Sequence, residues 1–192
     1  MEIKIPQTEN PVHSFITKRW SARSFAEKPI SESELNTLLE AASWAASSMN
    51  EQPWHYLIAK KGSASFQKMV DCLMAGNQPW AKNASVLLLS LARKNFASNG
   101  KPNRHAMHDV GAANTTLLLQ AANMDIYGHM MGGYHHDATI EAFEIDENEF
   151  EISCFIALGY LDSLEALEEP FKTRELTARS RKDVKEISAI LD

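Results

Sequence analysis

A chain of 192 residues, 44% apolar and 23% charged, has the length and composition of one globular domain able to bury a sizeable core. Its net charge of −6 and pI near 5.7 exclude a general nucleic-acid binder, which needs a basic face, and leave only two local basic clusters, Lys18-Arg19 with Arg23 and Arg179 with Arg181-Lys182. The longest apolar run, Val86 to Leu91, is far too short to cross a membrane, and Met1 to Pro11 lacks the apolar core of a signal peptide, so a cytoplasmic protein with no membrane partner is expected.

Taken in chain order, Val12 to Arg19 reads as a short first helix. Ser31 followed by Glu34 is a capping box, and Leu35, Leu38, Leu39 and Ala42 form the apolar stripe of the helix it opens. Pro53 stops that helix from running through Ser47-Ser48-Met49-Asn50, and a strand follows over Tyr56 to Ala59. Ser63 to Leu73 reads as a helix. Ala84 to Leu91 suits an interior strand or a buried helical turn, its flanks favouring strand. Asn95 to Arg104, with Gly100-Lys101-Pro102, is a loop, and His105 to Met124 is the longest helix, its small residues fitting close packing on several sides. A strand over Ile126 to Met131 ends at Gly132-Gly133. A short helix near Ala138 to Phe143 and a last strand over Ile152 to Tyr160 follow. The order of elements is irregular, which points to α+β layers and not to a regular doubly wound sheet.

Beyond Asp162 the composition changes. Ser163 to Thr177 is charged and low in core residues, and Ser180 to Leu191 reads as a helical end. So little apolar surface cannot fold alone, so the tail is expected to lie across another surface, its own body or a partner's.

The familiar local signatures are missing: there is no G-x-G-x-x-G loop, no Walker loop and no G-x-S-x-G elbow. Cys72 and Cys154 lie far apart in apolar surroundings and read as buried free thiols. His105 and His108, and the group His129, His135 and His136, have no carboxylate or cysteine partners at ligand spacing. They read as solvated or hydrogen-bonded histidines, with no metal site expected.

Three blocks together carry a resemblance. The first is Lys18-Arg19-Trp20-Ser21-Ala22-Arg23-Ser24-Phe25, the second Ser47-Ser48-Met49-Asn50-Glu51-Gln52-Pro53-Trp54. The third runs from Asp109-Val110-Gly111-Ala112-Ala113-Asn114 through His129-Met130-Met131-Gly132-Gly133-Tyr134 to Ala157-Leu158-Gly159-Tyr160, and ends with Arg179 and Arg181. In this order the blocks resemble the nitroreductase-like family of FMN-dependent NAD(P)H oxidoreductases over almost the whole chain.

The resemblance implies an α+β fold with a central mixed, largely antiparallel sheet flanked by helices, in a single domain over 1–192 whose segment 163–192 embraces the partner of a homodimer. It implies FMN as cofactor, held at the subunit interface, and NADPH or NADH as transient electron donor. Arg19, Arg179 and Arg181 would hold the phosphate with Ser21 adding a hydroxyl. Arginine suits that role because its planar fork donates paired hydrogen bonds and stays charged. Trp20 would contribute its backbone, and Arg23 would face the N1/O2 edge of the ring, where a fixed cation favours the reduced, anionic flavin. Ser47, Ser48 and Asn50 would reach the FMN of the other subunit, Asn77 would touch the ring, and Gly132 and Gly133 would bring backbone to its N5/O4 edge. Trp80 and Lys82 stand near a position that carries a ring-contacting lysine in some members.

The implied activity is a hydride relay from NAD(P)H through flavin N5 to a small electrophile such as a nitroaromatic, quinone, enone or aldehyde. The chemistry is borne by the flavin, with no catalytic side chain. Alternatives remain open at this level. The arginines read singly as solvated surface charges, Ser47 as the end of a helix, Trp54 as core and Gly132-Gly133 as a tight turn. A flavoprotein of other chemistry (dehalogenation, ring oxidation, flavin conversion) or a non-catalytic flavin-binding module would carry the same blocks.

Overall fold

The computed structural model describes residues 2–191, the side chains of Glu2 and Ala166 excepted. Four strands, β1 (Trp54–Lys60), β2 (Val86–Arg93), β3 (Ile126–Met131) and β4 (Phe150–Tyr160), form one sheet in the order β1-β2-β4-β3. All three pairings are antiparallel.

The near-continuous apolar run of β2 follows from its central place, with both faces of the sheet covered. Successive side chains of a strand point to opposite faces. Leu87, Leu89 and Leu91 therefore enter one core with Phe155, Ala157, Trp80 and Phe66, while Val86 and Leu88 enter a second with Ile156, Leu158 and Leu117. The second core is closed by α2 (Glu32–Ser43) and α5 (Ala106–Asn123), the first by α3 (Ala64–Cys72), the short α4 (Gln78–Ala81) and α6 (His136–Phe143). Helix α1 (Ser14–Lys18) lies beside α5. The result is a three-layer α+β sandwich.

The local signals act as expected. The Ser31 hydroxyl accepts from the Glu34 N–H while the Glu34 carboxylate accepts from the Ser31 N–H, and Leu35, Leu38 and Ala42 of α2 are buried. Loop 95–104 stays irregular, and the two cysteines are buried and unpaired, with burial pushing the Cys154 thiol up to about 11. Close approach of α5 to β3 depends on Gly128, where a Cβ would lie 2.1 Å from Leu118 Cδ2.

Two expectations need correction, both in the tail. Ser163 to Thr177 is not poor in core residues: Leu167 and Phe171 are buried in the first core, and α7 (Phe171–Leu176) turns Glu175 fully inward. Ser180 to Leu191 is not a helix throughout, because only α8 (Val184–Ile187) forms. Its apolar side chains Val184, Ile187, Ile190 and Leu191 are 57–97% exposed, so no packing within the chain offsets the cost of nucleating a longer helix. No helix among the described residues is long and apolar enough to cross a membrane.

Candidate functional site

The site grows from the two chain ends meeting on the sheet. Phe25 pairs with Leu161 in an antiparallel bridge beyond β4, with the Ala26 N–H donating to the Tyr160 carbonyl and the Asp162 N–H to the Ser24 carbonyl. This fixes the block from Lys18 to Phe25 against the start of the tail. Trp20 turns its indole into the core, edge-on to Tyr127 with centroids 5.9 Å apart, leaving its backbone as the part that can reach a ligand. Ser21 is exposed.

Three of the expected arginines form one electropositive cluster. Arg179 donates to the carbonyls of Lys4 and Thr17 at 2.9 and 2.5 Å, which ties the tail to the strand-side end of α1. Burial, then the nearby charge of Arg181, holds the Arg19 guanidinium below its ordinary range. Burial, then the charges of Arg19 and Arg181, does the same to Arg179. Among the described residues no carboxylate forms an ion pair with any of the three. Like charges gathered without a counter-charge make an arrangement that can take up an anion.

A second group lies along the same edge. Trp80, 1% exposed, stacks on His129 with centroids 4.5 Å apart, and the Arg23 guanidinium lies 5.8 Å from the indole. The His129 Nδ1–H donates to the Ala22 carbonyl at 3.1 Å, and burial followed by the charge of Arg23 lowers its pKa to about 4, so the ring is neutral near pH 7. Arg23 is not a lone cation: its Nη1 donates to Glu175 Oε1 at 3.1 Å. Lys82 is exposed at the end of α4.

Residues 72–74 pair with 133–135, and the Gly133 carbonyl accepts from both the Met74 N–H and Asn77 Nδ2, each at 3.0 Å. The Asn77 amide nitrogen is thus committed to Gly133, while its Oδ1 stays available. A Cβ at Gly133 would lie 2.9 Å from Asn77 Nδ2, so a larger residue there would displace the Asn77 amide from this contact. Gly132 differs: it has no left-handed φ, and a Cβ there would meet open space. Neither a left-handed turn nor close packing within the chain requires a glycine there.

The turn holding Ser47, Ser48 and Asn50 is elsewhere. It carries left-handed backbone at Met49, Asn50 and Gln52, each costing roughly 1–2 kcal/mol for a non-glycine residue. The cost is met by fixed partners: the Ser48 N–H donates to buried Asp109 at 2.9 Å and the Gln52 N–H to the Ser47 hydroxyl at 3.1 Å. Met49 at its tip is 86% exposed, and nearby Trp44 82%. Asp109 is in the first turn of α5, whereas Lys18 pairs with Asp125 just past the other end of that helix. Sixteen residues at 1.5 Å each put Asp109, which holds the turn, and Asp125, which holds Lys18, about 24 Å apart along α5.

Sequence reasoning missed Glu175 and Lys4, and it named Asp109 at the start of the third block without giving it a role. Two of them carried a signal. Glu175 follows Phe171 by four residues within α7, and Asp109 continues Ala113, Leu117 and Ala121 of α5, so each is a carboxylate on a buried helical face.

The comparisons with known proteins agree. The pattern of the nitroreductase family matches residues 16–74 and 61–160. A solved structure described as an oxidoreductase containing FMN is 35% identical, with a TM-score of 0.89 over 95% of this chain and 93% of its own. A protein of Archaeoglobus fulgidus, provisionally named NADH dehydrogenase/NAD(P)H nitroreductase, is 28% identical over 149 residues, 76% of this chain and 82% of its own. A nitroreductase family protein from Streptococcus pneumoniae, 18% identical, shares the fold with a TM-score of 0.72 over 92% of this chain and 98% of its own. With the family's pattern matched over residues 16–160 and the antiparallel sheet in place, this chain belongs to the nitroreductase family.

Proposed function

We propose that this chain is an FMN-dependent oxidoreductase that passes reducing equivalents from NAD(P)H to a small electrophilic acceptor, a nitroaromatic, quinone, enone or aldehyde. The observation that carries the proposal is the cluster of Arg19, Arg179 and Arg181, three guanidinia with no carboxylate partner among the described residues, together with Arg23 set over the Trp80 ring. That donor set fits a phosphate joined to a flat polar ring. The relatives support it, since one is described as containing FMN and another is named for NAD(P)H.

A bound flavin supplies the hydride chemistry, and the chain supplies placement and charge. Arg19, Arg179 and Arg181 hold the phosphate, with the Ser21 hydroxyl and the Trp20 backbone beside them. Arg23 presents positive charge to the pyrimidine edge of the ring, where negative charge accumulates on reduction. Gly132 and Gly133 let backbone, free of side chains, reach the opposite edge. The neutral His129 packs behind Trp80 without adding charge.

We infer further that the working unit is a homodimer. The turn is held at Asp109 and the basic block at Asp125, about 24 Å apart along α5, a separation that favours the turn acting in a second chain's site. A two-fold axis would let each strained turn complete the partner's site. The exposed Trp44, Met49, Ile187, Ile190 and Leu191 are the apolar surface such an interface would cover. The test is steady-state NAD(P)H oxidation by purified, FMN-loaded protein with a quinone or nitroaromatic added. Acceptor-dependent turnover supports the enzyme. A yellow protein that no acceptor turns over would be a cofactor store instead.

A further inference from the structure

The most unusual electrostatic feature lies behind the site. Glu175 is fully buried, yet only one of its oxygens has a protein partner: Oε1 accepts from Arg23, and Oε2 has none among the described residues. The pairing is single-pronged, so most of the five N–H groups of Arg23 remain directed away from Glu175, and its side chain is 21% exposed. Lys4, itself buried, donates to the carbonyls of Arg174 and Thr177, which bracket Glu175, at 2.9 and 2.6 Å, and lies 5.1 Å over Trp20. The first residues of the chain, the basic block and α7 thus close around one carboxylate.

We infer that Glu175 is a positioning and charge-setting residue for Arg23, fixing the guanidinium beside Trp80 and offsetting its charge, and so setting the reduction potential of a flavin bound against that edge. The inference rests on the reading that Arg23 faces the ring. A lone arginine would act on the ring as a full positive charge. An arginine backed by a buried carboxylate acts as a dipole with its positive end forward, whose field falls off faster with distance. Burial pushes the Glu175 carboxyl up and the Arg23 charge pulls it back, so its ionisation depends on Arg23. Glu175 is fully buried, so solvent screens the pair from the Arg23 side alone.

The test is a cycle of midpoint potentials measured on the FMN-loaded wild-type, Glu175→Gln, Arg23→Gln and doubly substituted proteins. Glu175→Gln keeps the shape and can still accept from Arg23 while removing the negative charge, and its midpoint should rise. Arg23→Gln should lower it. Adding Glu175→Gln to Arg23→Gln should change the midpoint less than it does in the wild type, because without Arg23 burial favours the neutral carboxyl, against the charge of Lys4 alone. If the Gln variant does not fold, Glu175→Met, which keeps the volume with no polar group, carries the same expectation. A merely structural role predicts the same shift on both backgrounds. A lowered midpoint in Arg23→Gln with no rise in Glu175→Gln overturns the inference alone. An unchanged midpoint in Arg23→Gln, with FMN bound, removes Arg23 from the ring and the inference with it.

Discussion

Arg181 offers the cleanest perturbation of the proposed phosphate site. It is exposed, its one hydrogen bond goes to its own neighbour's carbonyl at Ser180, and its charge disfavours those of Arg19 and Arg179. Removing it should leave the empty protein's stability unchanged within about 0.5 kcal/mol, or raise it slightly by relieving repulsion. Binding should respond in the opposite sense. A hydrogen bond to a charged group contributes roughly 1.5–3 kcal/mol, so Arg181→Ala should weaken FMN binding by roughly 10- to 150-fold. Arg179→Ala is the contrast: it also breaks the ties to Lys4 and Thr17, and should lower both FMN affinity and the unfolding temperature. The assay pairs a flavin-fluorescence titration with thermal unfolding of the apoprotein. An unchanged FMN dissociation constant in Arg181→Ala would remove that residue from the site, and a large loss of apoprotein stability would refute the assignment of its role to binding.

Gly128→Ala should destabilise the fold by roughly 1–3 kcal/mol in denaturant unfolding, because the added methyl would meet Leu118 at 2.1 Å and Leu158 at 2.8 Å; wild-type stability would contradict the close packing of α5 on β3. His129 should make stability fall with pH between 6.5 and about 4, since the unfolded imidazole gains a proton below 6.5 while the folded one stays neutral until about 4. The loss over that window should be on the order of 2–3 kcal/mol, and a His129→Gln protein whose pH profile parallels wild type would refute it. Deleting 183–192 removes the exposed Val184, Ile187, Ile190 and Leu191 but spares Arg179, Arg181 and the buried Glu175. It should weaken self-association in sedimentation while leaving the apoprotein folded; an unaffected association constant would place the interface elsewhere.

Most of the fold was legible because its cores follow simple periods. The Leu35, Leu38 and Ala42 stripe, the run from Val86 to Leu91 and the small residues of α5 each name the face they bury. The tail was misread for the reverse reason. Its short helix α7 buries Phe171 and Glu175, and a carboxylate in that place reads as solvent-facing until its partner Arg23, far away in sequence, is known. The segment after Ser180 has an apolar pattern but nothing in its own chain to pack on, so pattern without partner gave one turn of helix. At the site, the blocks named the residue types and the arginine cluster, because charge chemistry is local. The dependence of Arg23 on Glu175, of Ser48 on Asp109 and of Gly133 on Asn77 was not legible, because these are contacts between distant segments.

The central claim, a flavin site completed by two chains, is tested most directly by sedimentation of the FMN-loaded protein at low concentration, with flavin and protein absorbance followed together. The account predicts a single boundary of twice the chain mass carrying one FMN per chain. A boundary of single-chain mass that still carries its flavin would contradict the shared site, and with it the roles of Ser47, Ser48 and Asn50.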